Sequence, residues 1–168
     1  MKRLLSALNI LAILSAATLA IAMFYPWWSL QIQFIGLTYV YPYVIRGPAT
    51  TILGYQKTAQ MSQLTGLLIG CMVLAVLGSL LRKWAGRIAV GAAGALALVA
   101  AWRFYERAGS IASRYGMAVQ GHAIATYGGF SPVEVSAKLE KGFFLAIAGA
   151  ALALVASLLH EKLRFRSG

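Results

Sequence analysis

The chain has 168 residues, 60% of them hydrophobic and only 11% charged, with a mean hydropathy of +0.74 and a formal net charge of +11. A soluble domain carries about 25% charged residues, so this composition excludes an ordinary soluble protein and points to an integral membrane protein with no separate soluble domain. Many of the basic residues flank apolar segments, and no Lys/Arg run has interleaved aromatics, which argues against nucleic acid as a partner.

Four segments are long enough to cross a bilayer, which takes roughly 20 apolar residues. The expected helices cover about residues 4–24, 61–81, 85–115 and 132–160. The first follows Met1-Lys2-Arg3 and has too long an apolar run for the 7–15 residues of a typical signal h-region. After it, Phe24-Tyr25-Pro26-Trp27-Trp28 opens a stretch in which Trp28, Leu30, Ile32 and Phe34 alternate with Ser29, Gln31 and Gln33. That period of two predicts a half-buried strand with the apolar set inward and the polar set outward. A second run, Leu37 to Ile45, carries Tyr39, Tyr41 and Tyr43 on one face, with Gly36 supplying the turn between the runs.

The second helix contains Gly66 and Gly70 in a G-x-x-x-G pair, with Gly78 further along the same face. Small residues four apart let a neighbouring helix approach closely, within one chain or between copies. The third helix is almost all Ala, Gly, Val and Leu between Trp84 and Trp102, which lie 18 residues apart. That spacing is about 27 Å of helix, close to the hydrocarbon thickness. The helix is expected to project onward to about Tyr115, and Met117 to Tyr127 reads as a hairpin turning at Gly121-His122. Ser131-Pro132-Val133-Glu134 has the pattern of a helix start, with Ser as N-cap, Pro at the first position and Glu closing a capping box. The fourth helix then presents Gly142, Ala146 and Ala150 as a small-residue face.

The fold expected is therefore a mainly α membrane protein, a four-transmembrane-helix bundle with a small extracellular antiparallel β-sheet from the two outer loops, 25–60 and 103–131. Lys2, Arg3, Arg82, Lys83, Arg87, Lys162, Arg164 and Arg166 lie in short segments on one side. The other seven, Arg46, Lys57, Arg103, Arg107, Arg114, Lys138 and Lys141, are spread over the two long loops and the start of the fourth expected helix. This density predicts a multi-pass protein of the cell membrane with both termini cytoplasmic.

Little in the sequence promises chemistry. Cys71 is the single cysteine, and the two histidines, His122 and His160, fall on opposite sides of the expected membrane. His160 reads as a solvated residue at a helix end and His122 as a turn residue. None of the four glutamates lies within a span, and no nucleophile or phosphate motif stands out. No enzyme activity, cofactor or metal is expected. The aromatic set Trp27, Trp28, Tyr39, Tyr41 and Tyr43 has two readings, an interfacial belt with sheet core, or a partner contact. Gly66, Gly70, Gly142 and Ala146 are the expected helix-packing positions.

Four spans, cytoplasmic ends, a first outer loop that opens as strands with Trp27-Trp28, and a second outer loop running into the fourth helix together resemble the claudin and PMP22-like family. The family's paired loop cysteines have no counterpart here. The resemblance implies a left-handed four-helix bundle, an outer sheet and a role in adhesion, assembly or regulation of partners. The expected function is non-enzymatic, by lateral or extracellular association with other membrane protein subunits or copies of itself in a lipid bilayer. The alternatives are an accessory subunit of a larger membrane complex, such as a respiratory-chain enzyme, or a small oligomeric channel or carrier.

Overall fold

The computed structural model describes residues 9–48, 50, 59–81, 83–125 and 132–160. Among these lie four helices and five strands: α1 (Ile10–Phe24), β1 (Trp28–Ile32), β2 (Gly36–Val40), β3 (Ile45–Arg46), α2 (Ala59–Leu80), α3 (Lys83–Ser113), β4 (Gly121–Ala125), β5 (Val133–Leu139) and α4 (Lys141–Leu158). Segments Met61–Leu80, Trp84–Ser113 and Lys141–Leu158 are long and apolar enough to cross a membrane, and α1 is a shorter apolar helix within the described residues. The start of the expected first span, its flanking charges Lys2 and Arg3, and Lys57, Arg82, Ser131, Lys162, Arg164 and Arg166 lie outside the described residues.

The chain divides into two compact units. One comprises residues 1–21, 66–100 and 145–168, the other 22–65 and 101–144.

The first unit is a helical bundle with a core of small side chains. Ala12, Val90, Ala153 and Ala156 form one cluster with Leu11, and Ala16, Ala75 and Ala93 form another with Met72 and Leu74. Alanine cores require close backbones. A Cβ at Gly94 would come within 2.9 Å of the Ala150 carbonyl, and one at Gly149 within 2.9 Å of Leu19. Polar side chains tie the helices at these approaches. The Ser15 hydroxyl donates to the Gly149 carbonyl at 2.6 Å, and the Ser157 hydroxyl to the Arg87 carbonyl at 2.8 Å. Such bonds satisfy groups that an apolar surrounding would otherwise leave unpaired.

A third polar link corrects the expectation for His160, which is fully buried rather than solvated. Asn9 caps α1, its Oδ1 accepting from the Ala12 amide at 3.3 Å. Its Nδ2 donates to the Ala156 carbonyl and to His160 Nδ1, both at 3.0 Å. With Nδ1 accepting, the ring proton sits on Nε2, which faces the Leu81 carbonyl at 3.2 Å. One imidazole therefore joins the start of α1, the end of α4 and the residue that follows α2.

Gly66 and Gly70 do not serve as packing positions in this unit. Both are exposed, and a Cβ on either would meet nothing within 4 Å. The rotation of α2 brings Gly78 inward instead, where a Cβ would lie 2.8 Å from Val90. Ala146 is fully buried, as its place on the small-residue face of α4 requires.

The second unit is built on a five-stranded antiparallel sheet of order β3-β2-β1-β5-β4. The two segments between helices thus pair into one sheet, through β1 and β5. The expected helix start at 131–134 is overturned. Val133–Leu139 is a strand, and α4 begins at Lys141. The reason is visible in its burial: Val135, Ala137 and Leu139 are buried, whereas Glu134 and Lys138 are exposed. That alternation, with pairing on both sides by β1 and β4, outweighs a local capping pattern. For the same reason the described part of the expected hairpin, residues 117–125, does not fold back at Gly121-His122, and residues 126 and 127 lie outside the described residues. Gly121 and His122 open β4, which pairs with β5.

The β1–β2 turn also differs from expectation. It spans 33–35, with Phe34 at φ 68°, 87% exposed rather than packed inward. Gly36 opens β2 at φ 109°, where a Cβ would crowd the Pro48 ring at 3.1 Å. The second aromatic run is broken by a turn closed by the Tyr41 amide on the Val44 carbonyl, at 2.9 Å, so Tyr41 and Tyr43 lie between strands.

Candidate functional site

Residues opposite one another in a sheet point to the same side, so the register sorts the side chains into two faces. One face carries Trp28, Leu30, Val135, Ala137 and Leu139, all buried. Here Trp28 Nε1 donates to the Val119 carbonyl at 2.8 Å. Trp27, just before β1, is fully buried, donates to the Ala22 carbonyl at 2.9 Å, and sets its ring edge-on to Phe104 and Phe143, 5.0 and 6.0 Å away. Gly142 completes this core. Its amide donates to the Pro26 carbonyl at 3.0 Å, and a Cβ there would meet the Tyr25 and Pro26 carbonyls and the Trp27 ring at 2.6 to 2.7 Å. Trp27 and Trp28 are thus buried in the core of this unit. Gly142 packs against the chain entering β1.

The opposite face is polar and arranged in rows across the strands. The first row is Arg46, Tyr39, Ser29 and Lys138. The second is Leu37, Gln31, Ser136 and His122. The third is Gln33, Glu134 and Ile124, the Gln33 amide donating to the Glu134 carbonyl at 2.8 Å while its Oε1 accepts from the Glu134 amide at 3.0 Å. Arg46, Gln31, Gln33, His122, Ile124, Glu134 and Lys138 are all exposed. Ser29 is covered, contrary to expectation, because its hydroxyl donates to Glu140 Oε1 at 2.8 Å. A cleft of about 570 Å³ opens on this face, lined by residues that include Ser29, Gln31, Gln120, Ser136, Lys138 and Glu140.

Of the expected contact residues, only Tyr39 stands in these rows, half-buried between Ser29 and Arg46. Tyr41 and Tyr43 flank the same end, their rings 5.8 Å apart, and the Arg46 guanidinium lies 5.3 Å from the Tyr41 ring centre. That cation–π contact holds an arginine over an aromatic pair at the edge of the sheet. His122 is an exposed edge-strand residue, not a turn residue.

Chemically the face offers donors, acceptors and two cations, with a carboxylate at either end, one of them accepting from the Ser29 hydroxyl. Among the described residues no group of three His, Cys, Asp or Glu side chains could hold a metal. The sequence signal for the second half of the face was the alternation in Val133–Leu139, which the Ser-Pro-Val-Glu pattern hid. No protein-family model matches the chain, and no curated protein matches it.

Proposed function

We propose that the chain is an integral membrane protein without catalytic activity of its own, whose sheet is an association surface. The observation that carries this reading is the polar face. Three rows of side chains, most of them exposed, stand on a sheet whose other side is anchored by Trp28 and Leu30, and they offer donors, acceptors and charges for contact. Exposed apolar side chains along the helices, such as Ile69, Val73 and Leu77 on α2 and Trp84 and Ile88 on α3, supply surface suited to lipid. In this reading both termini are cytoplasmic, both segments that build the sheet are external, and the role is that of a claudin-like adhesion or assembly protein.

Two experiments test it. In a Cys71→Ala background, Gln33→Cys is expected to react with an impermeant thiol reagent on intact cells, and Gly168→Cys is not. Labelling of Gly168→Cys alone overturns the topology. Tyr39→Ala is expected to reduce crosslinking to neighbouring membrane proteins in native membranes while the melting temperature stays within about 2 °C, since half-exposed substitutions usually act weakly on stability. Unchanged crosslinking for Tyr39→Ala, Gln31→Ala and Lys138→Ala alike removes the face from the function.

A further inference from the structure

The polar face carries its charges unevenly along the strand direction. At one end the first row holds Arg46 and Lys138, with Tyr41, Tyr43 and the Ser29-bonded Glu140 carboxylate alongside, so this end keeps one net positive charge. At the other end the third row holds Glu134, beside the exposed Phe34 and Ile124. The middle row, with Gln31, Ser136 and His122, has no carboxylate. On β5 alone the outward residues read Glu134, Ser136, Lys138: minus, neutral, plus.

Glu134 and Lys138 are four residues apart on an extended strand, about 14 Å, so they do not reach each other within one chain. Neither has an ion-pair partner among the described residues. A pattern that changes sign about its midpoint becomes complementary to itself when rotated by 180° about an axis lying along the middle row. Two copies stacked face to face in this way put β5 antiparallel over β5. Glu134 of each then faces Lys138 of the other, and Ser136 faces Ser136. The same rotation brings the Phe34 end of one copy over the Arg46–Tyr41–Tyr43 end of the other.

We propose that this face is an isologous dimer interface, and that its occupant is the same face of a second copy of this chain. The inference rests on the association reading above and names the partner. Two-fold contacts are the commonest way for identical chains to meet, because one self-complementary patch makes each contact twice. Phe34 supports the assignment. A non-glycine residue at φ 68° in a turn is held there against its preference, and such outliers collect where a side chain must be presented. The two hydrogen bonds between Gln33 and Glu134 fix that presentation. An anionic lipid surface would suit Arg46 and Lys138 but would be repelled by Glu134, so it fits only half of the face. A sheet of five strands and three rows covers roughly 500 Å² per copy, about 1,000 Å² in total, near the lower limit for a specific interface. The dimer is therefore weak, and its yield should rise with protein density.

The test uses the full chain in a Cys71→Ala background, reconstituted in vesicles, with Ser136→Cys bridged by a short bismaleimide. Facing sheets lie about 10 Å apart, too far for a direct disulfide and within reach of that linker. Wild-type charges are expected to give a covalent dimer whose yield falls as salt rises. Glu134→Lys and Lys138→Glu should each lower the yield by at least about tenfold, since each sets like charges opposite one another at both ends. Mixing these two proteins one to one should restore it, because every facing pair is then opposite in sign. If either charge reversal changes the melt, Glu134→Gln and Lys138→Gln replace it, each with an expected loss of a few-fold.

A monomer at every protein density overturns the proposal, as do charge reversals that crosslink like wild type and a mixture that fails to recover. So does a monomer in which Lys138 is shielded from acylation by anionic vesicles, which assigns the face to lipid. If self-crosslinking fails while Tyr39→Ala still loses its neighbours in native membranes, the association reading stands with a different protein as partner.

Discussion

Gly142 and Gly70 provide a paired test, because both sit in apolar helices and the structure assigns their alanine variants opposite signs. At Gly142 an added methyl meets two backbone carbonyls and the Trp27 ring at 2.6 to 2.7 Å. Those carbonyls belong to a segment fixed by the Gly142 amide on Pro26, the Trp27 amide on Val40 and the Glu140 amide on Trp27, with N···O distances of 2.8 to 3.0 Å. Relief requires moving backbone, so the penalty belongs at the upper end of the 1–3 kcal/mol usual for overpacking, about 3 kcal/mol. Replacing glycine by alanine in a helix returns up to about 1 kcal/mol. The balance is about 2 kcal/mol of destabilisation, or a fall in Tm of about 4–8 °C for a chain of this size. At Gly70 nothing lies within 4 Å, only the helical gain remains, and Tm should rise by about 2–4 °C. Thermal unfolding of the detergent-solubilised variants, followed by tryptophan fluorescence, reads both. Shifts of the same sign would refute the packing argument, and a rise for Gly142→Ala would do so alone.

His160→Leu should destabilise the first unit by about 1–3 kcal/mol, because the Leu81 carbonyl and one Asn9 amide hydrogen lose their partner, and a double-mutant cycle with Asn9→Ala should show coupling above about 0.5 kcal/mol; additive losses would remove the proposed hub. Trp28→Phe keeps the ring's place but leaves the Val119 carbonyl without its donor, so a loss of about 1–2 kcal/mol is expected in urea unfolding, against no change if water replaces the indole. Phe34→Gly should leave Tm unchanged or raise it by relieving about 1 kcal/mol of left-handed strain, while lowering the crosslinked dimer. A fall in Tm would mean that Phe34 packs rather than presents.

The sequence made some of this legible and concealed the rest for identifiable reasons. The alternation from Trp28 to Ile32 announced β1 because one face is buried and the other is not. The same alternation in Val133–Leu139 lay under a Pro-Val-Glu pattern that is equally good local chemistry for a helix start. Only the strands on either side decide between them. Strand β4, Gly-His-Ala-Ile-Ala, has almost no intrinsic preference for extended structure and exists because β5 offers it an edge. Gly66 and Gly70 match a packing motif that Gly78 extends, but which part of α2 faces a neighbour depends on where that neighbour lies. The partners of His160 are also non-local, since Asn9 is 151 positions away. Among the site residues, the period of two already put Trp28 inward, where it is buried, whereas nothing local told that Trp27 is buried too or that Tyr39 stands in the polar face opposite Ser29.

The β1–β5 pairing carries a consequence for biogenesis. Trp28 finds its partner Leu139 only after 110 intervening residues have been made, so the middle of the sheet cannot close while most of the chain is still on the ribosome. Until then β1 and β2 form a hairpin with one open edge, the kind of template on which strands from other chains add. High sequence separation also makes this the slow step, because loop closure must precede any gain from pairing. A nascent chain released before Leu139 would still present that edge. Quality control of such fragments, rather than of misfolded full-length protein, is where the cell would meet this sheet's aggregation hazard.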